Sequence, residues 1–182
     1  MTTSLLFEQL KDIRESVQIP LIIMGYFNPM MQFGMEKFCQ KCAEVGIDGL
    51  IIPDLPLFVY ETEYKAIFEK YNLKNIFLIS PQTSVERIQQ IDAISDSFIY
   101  MVSSAAVTGS QSGFGSEQMN YFKRITDLNL KNPQIVGFGI KDEETFQQAT
   151  QYQKGAIIGS AFITFLKENS ISEIFKFVNK IK

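Results

Sequence analysis

The chain has no histidine and only two cysteines among its 182 residues. Without histidine there is no imidazole general base, no supply of the commonest metal ligand, and no Ser-His or Cys-His nucleophile pair. Cys39 and Cys42 form a C-x-x-C, a spacing used by redox motifs and by half of a zinc site. No second Cys or His cluster is present to complete a zinc ligand set. Phe38, Cys39, Cys42 and Val45 recur at helical spacing, so both thiols are predicted on the apolar face of a helix, packed as small hydrophobes. Long apolar runs are missing too. Pro20-Leu-Ile-Ile-Met24 falls far short of the roughly 20 residues that span a bilayer. The N-terminus lacks the charged start and cleavage pattern of a signal peptide, which predicts a cytoplasmic protein. A net charge of −3 offers no general attraction to nucleic acid or to an anionic membrane. Any bound anion must be held by local geometry.

What is present is a rhythm. With 46% apolar and 20% charged residues, the composition is that of an ordinary globular protein, and residues 1–182 are predicted to form a single domain. Short apolar runs predict strands over 19–25, 49–53, 75–80, 97–102, 134–138 and 155–159. They are nearly continuous in Ile, Leu, Val and Phe, as strands covered on both faces should be. Segments of helical period predict helices near 35–45, 58–71, 84–93, 116–129, 142–152 and 172–180. A further helix over 4–16 precedes the first strand, with Leu6, Leu10, Ile13 and Val17 on one stripe. Ser84 and Asp142 are suited to N-caps, and Gly46 and Asn72 sit where helix C-caps belong.

Repeated strand-then-helix units imply a parallel sheet. The repeat is that of a (β/α)8 barrel, yet only six strands are counted and about 250 residues are typical of the closed form. The chain is therefore predicted to be a partial barrel, six βα units preceded by a helix. A complete six-stranded doubly wound sheet is the alternative.

Two glycine corners stand out. Gly137-Phe-Gly139 follows Gln134-Ile-Val136, and Gly159-Ser160 follows Gly155-Ala-Ile-Ile158. Glycines past the ends of neighbouring strands let bare backbone N–H groups approach an anion, and a helix starting there adds the positive end of its dipole. In (β/α)8 barrels the loops after the last two strands commonly hold phosphate. The pattern predicts a site for a phosphorylated small molecule.

Five segments in order carry a family resemblance. They are Pro20-Leu-Ile-Ile-Met-Gly-Tyr-Phe-Asn-Pro29, Gly46-Ile-Asp-Gly-Leu-Ile-Ile-Pro-Asp-Leu-Pro56, Ser103-Ser-Ala-Ala-Val-Thr-Gly109, Val136-Gly-Phe-Gly-Ile140 and Gly155-Ala-Ile-Ile-Gly-Ser-Ala161. Together they resemble the tryptophan synthase alpha subunit, an indole-3-glycerol-phosphate lyase. The second segment is the most specific, while GFG and GS fit several phosphate-binding barrels. The match runs from the third strand of that family's barrel to its last helix. The resemblance implies tryptophan biosynthesis by retro-aldol cleavage of indole-3-glycerol phosphate to indole and glyceraldehyde 3-phosphate. It implies no metal or organic cofactor, and a beta subunit as partner in an alpha2-beta2 complex.

Carried over residue by residue, the resemblance makes Tyr26, Asn28, Tyr100, Thr108 and Phe138 substrate-binding. It makes Gly109, Gly137, Gly139, Gly159 and Ser160 phosphate-binding. It places Asp54 and Pro56 at the partner interface, although Asp54 in a Pro-Asp-Leu-Pro turn is equally readable as a turn former. Residues 108–115 resemble a lid, and Ala106 stands where the family usually has glycine. The family's general acid/base Glu and indole-binding Asp precede the first matched segment. The chain alone is accordingly expected to be truncated, to lack catalytic residues, and to be inactive as a lyase. Two other functions stay open: another phosphate-binding barrel, such as a phosphosugar isomerase or epimerase, and a noncatalytic partner of the beta subunit.

Overall fold

The computed structural model describes residues 2–103 and 114–181. The chain gathers into two compact units, Met1–Phe77 with Ser95–Ser97, and Leu78–Ile94 with Phe98–Lys182.

The first unit is built on three parallel strands in the order β1 (Ile22–Met24), β2 (Gly49–Ile51) and β3 (Lys74–Ile76). Gly49 pairs with both Ile22 and Lys74, which sets the register across the sheet. Helix α1 (Thr3–Leu10) precedes β1, and α2 (Phe27–Phe33) and α3 (Met35–Glu44) lie between β1 and β2. After β2 come α4 (Leu57–Val59), a π-turn at Tyr60–Tyr64, and α5 (Lys65–Lys70). Phe68, Leu50, Cys39 and Cys42 are fully buried between helices and sheet. Burial pushes both thiols up to about 12, so they pack as apolar groups, as their helical spacing predicts.

The second unit holds four parallel strands in the order β4 (Leu78–Ile79), β5 (Ile99–Val102), β6 (Gln134–Gly137) and β7 (Gly155–Ile157). Helix α6 (Val85–Ile94) links β4 to β5, and α7 (Ser116–Asp127) precedes β6. Helix α8 (Glu143–Thr150) leads to β7, which α9 (Ser160–Glu168) and α10 (Ile174–Ile181) follow. The core is Ile99, Met101, Phe122, Ile125 and Val136, each with no exposed surface.

In both sheets each strand lies beside its predecessor in sequence. A doubly wound sheet reverses its order at a switch point; a barrel does not. Within each unit the order is therefore that of consecutive βα units of a barrel and not of a doubly wound sheet. The run predicted as one strand over 75–80 divides at Phe77. Residues 74–76 pair backward with β2 and residues 78–79 forward with β5.

The helix predicted over 4–16 ends early, at Leu10, and the chain tightens into a 3-10 turn at Ile13–Glu15. That turn brings Arg14 to the C-terminus of α3, where its Nε donates to the carbonyl of Gly46 at 2.7 Å. Its guanidinium also reaches the carbonyl of Ile19 at 2.8 Å and pairs with Asp48. A cation just past the C-terminus of a helix complements its dipole. Helix α2 is not announced by apolar periodicity. Pro29 sits in its first turn, where the missing N–H costs nothing, and Gly34 at φ +95° ends it.

Candidate functional site

The first glycine corner is rigidly built. Gly137 closes β6 directly under Tyr100, and a Cβ there would overlap the ring and hydroxyl of Tyr100. Only glycine permits that approach. Tyr100 is buried, which raises its phenol above the usual tyrosine value. Its ring meets Phe138 edge-on at 6.1 Å.

Phe138 then takes φ +68° and Gly139 φ +80°. A left-handed backbone costs a residue with a Cβ about 1–2 kcal/mol, so Phe138 must be held there. Ser103 is placed to do so. Its backbone N–H donates to the carbonyl of Gly137 at 3.2 Å. Its hydroxyl donates to the carbonyl of Phe138 at 2.7 Å. The Phe138 ring is 48% exposed and is free to form a wall beside a ligand. Beyond the turn, the Phe114 ring lies against Gly139, and the Phe114 N–H donates to Gln148 at 2.7 Å.

The second corner is open. Gly159 follows β7, and a Cβ on it would meet nothing within 4 Å among the described residues. Helix α9 starts at Ser160 with no side chain capping its first turn. Helix α8, which follows the first corner, is different. Asp142 caps it, accepting the N–H of Thr145 at 2.9 Å in a reciprocal capping box. That hydrogen bond holds the Asp142 carboxyl below the usual aspartate value. The positive end of α8 is thus met by the chain's own carboxylate, whereas that of α9 is not. The cap expected at Asp142 is in place, and the α9 start has no side-chain counterpart to it. Because β6 and β7 are paired neighbours, both corners lie at the C-terminal end of one sheet.

In the first unit, Tyr26 and Asn28 follow β1 and are exposed, Tyr26 at 70%. Asp54 and Pro56 follow β2 and are also exposed. Asp54 accepts the backbone N–H of Phe27 at 2.8 Å, so its carboxylate ties the loop after β2 to the start of α2. It acts there as a structural acceptor between two loops rather than only within its own turn. Phe58, not singled out by the sequence, presents a ring that is 71% exposed just beyond Pro56.

Among the remaining carboxylates, Asp48 precedes β2, accepts the N–H of Leu21 at 2.7 Å and pairs with Arg14. Glu143 and Glu144 are exposed in the first turn of α8. Thr108, Gly109 and Ala106, with the rest of 104–113, lie outside the described residues. Ser103 opens a motif legible in the sequence, but its contact with Phe138 spans 35 positions, and no local pattern announces it. Among the described residues no helix is long and apolar enough to cross a membrane.

The family model for the tryptophan synthase alpha chain matches residues 1–181. The tryptophan synthase alpha chain of Flavobacterium johnsoniae is 70% identical over 182 residues, covering 100% of this chain and 72% of its own length. That of Bacteroides thetaiotaomicron is 55% identical over 182 residues, again 100% of this chain and 70% of its own. Among solved structures, the tryptophan synthase complex of Pyrococcus furiosus superposes with a TM-score of 0.84 at 26% identity, over 100% of this chain and 73% of the other. The alpha chain of Legionella pneumophila does so at 0.78 and 31%, over 92% and 61%. These neighbours are (β/α)8 barrels, and this chain spans about seven tenths of the length of the curated relatives. With matching motifs, strand order and near-complete coverage, the chain belongs to the tryptophan synthase alpha chain family of tryptophan biosynthesis.

Proposed function

We propose that this chain carries the substrate-holding part of an indole-3-glycerol-phosphate lyase, the part that grips the phosphate and walls the indole. The observation that carries this reading is the pair of glycine corners on adjacent strands. One is roofed by Tyr100, and the other opens onto the uncapped start of α9. The phosphate sits against backbone N–H groups at Gly137, Gly139, Gly159 and Ser160; Gly109, outside the described residues, is added to them by the family resemblance alone. Phe138 and Tyr100 flank the indole; Tyr26, Asn28 and Thr108 are assigned to substrate by the family resemblance alone. Retro-aldol cleavage needs a proton delivered to the indole ring carbon and another taken from the glycerol hydroxyl. Asp48, Glu143 and Glu144 are engaged or placed elsewhere. The family resemblance assigns the proton-transfer groups to a part of the family's chain that these 182 residues do not match. The beta subunit docks beside Asp54 and Pro56, with the exposed ring of Phe58 in the same surface.

Two measurements test this. Calorimetric titration should detect glycerol 3-phosphate binding by the chain, and no binding would refute the phosphate site. Indole release from indole-3-glycerol phosphate should be absent with the chain alone. It should appear when the unmatched portion of the Flavobacterium johnsoniae relative is supplied. Turnover by the chain alone would overturn the division of labour.

A further inference from the structure

We infer that Ser103 is a positioning residue for the anion site, acting through the direction of a single peptide group; this rests on the phosphate-site reading above. Along a regular strand, successive carbonyls point to opposite neighbours. The carbonyl of Gly137 faces β5, where it accepts the N–H of Ser103. A regular continuation would turn the carbonyl of Phe138 toward β7. The left-handed φ of Phe138 reverses it, and the Ser103 hydroxyl captures it at 2.7 Å.

The peptide between Phe138 and Gly139 is trans, so its N–H points opposite to its C=O. Holding that carbonyl against β5 therefore turns the N–H of Gly139 toward the flank of β7, where Gly159 and Ser160 begin α9. Ser103 is itself 2% exposed, so its hydroxyl is engaged with the turn and not with solvent. Its role is to keep one donor aimed at the anion. It touches no ligand.

The test compares glycerol 3-phosphate binding and thermal unfolding in the unaltered chain and its variants. Ser103→Ala should weaken binding about tenfold, the size of one lost hydrogen bond, and should stop the Gly139 amide resonance from moving on titration. Ser103→Thr, which keeps the hydroxyl, should bind within about twofold of the unaltered chain. In a Phe138→Gly background, where the left-handed turn needs no restraint, the loss caused by Ser103→Ala should shrink to about twofold. Equal affinity in Ser103→Ala, with only a lower unfolding temperature, would overturn the assignment and leave the phosphate site intact. Failure of the unaltered chain to bind would overturn both. If Ser103→Ala does not fold, Ser103→Cys, a poor donor of similar size, supplies the same comparison.

Discussion

The two glycine corners look alike in sequence and are opposites in structure. Gly137 is glycine because Tyr100 occupies the space a side chain would need. Gly159 faces open space, so nothing within the described residues demands it. A glycine enforced by packing reports on the protein's own interior. A glycine with room to spare beside an uncapped helix start leaves space for the anion of the proposed site. The helices repeat the contrast, since α8 carries its own carboxylate at Asp142 and α9 carries none.

The largest effect should come from filling the tight corner. Gly137→Ala forces the Tyr100 ring out of place, an overpacking that costs about 1–3 kcal/mol, and denaturant unfolding should show it. Relief of that cost by a smaller residue at position 100 would confirm the source of the strain. An unchanged midpoint would dissolve the distinction between the corners.

Asp142→Ala comes next, with a loss of about 1 kcal/mol for an N-cap. Its pH dependence sharpens the comparison. The folded carboxyl lies below its ordinary value of 3.8 because Thr145 donates to it. Its contribution is whole above that value and fades as pH falls through the lower folded one. Unfolding measured down the acid limb should therefore be flatter in Asp142→Ala than in the unaltered chain.

Smallest in stability is Gly159→Ala, within about 0.5 kcal/mol, because its methyl group meets no neighbour among the described residues. Its effect should fall on glycerol 3-phosphate affinity instead, with a drop of about tenfold or more if a backbone approach is blocked. A variant that is stable and binds normally would remove Gly159 from the site.

Much of this was legible in the order of residues. Apolar runs and helical periods located every strand and most helices, because burial on both faces of a parallel sheet leaves a strong compositional mark. Caps at Ser84, Asp142, Gly46 and Asn72 were readable for the same local reason. Helix α2 was not, since Phe27-Asn-Pro-Met-Met-Gln-Phe33 has no clear apolar period. The shortening of α1 was hidden because it depends on Arg14 reaching Gly46, 32 positions away.

Sequence by itself determined the fold class, the family and the position of both glycine corners, all of which rest on local propensity and motif spacing. Only the tertiary structure decided which glycine is compelled and which hydroxyl holds the turn. Those outcomes depend on groups brought together across the sheet. Tyr100 over Gly137 and Ser103 on Phe138 are contacts between paired strands, and a linear pattern carries no distance between residues so far apart in the chain.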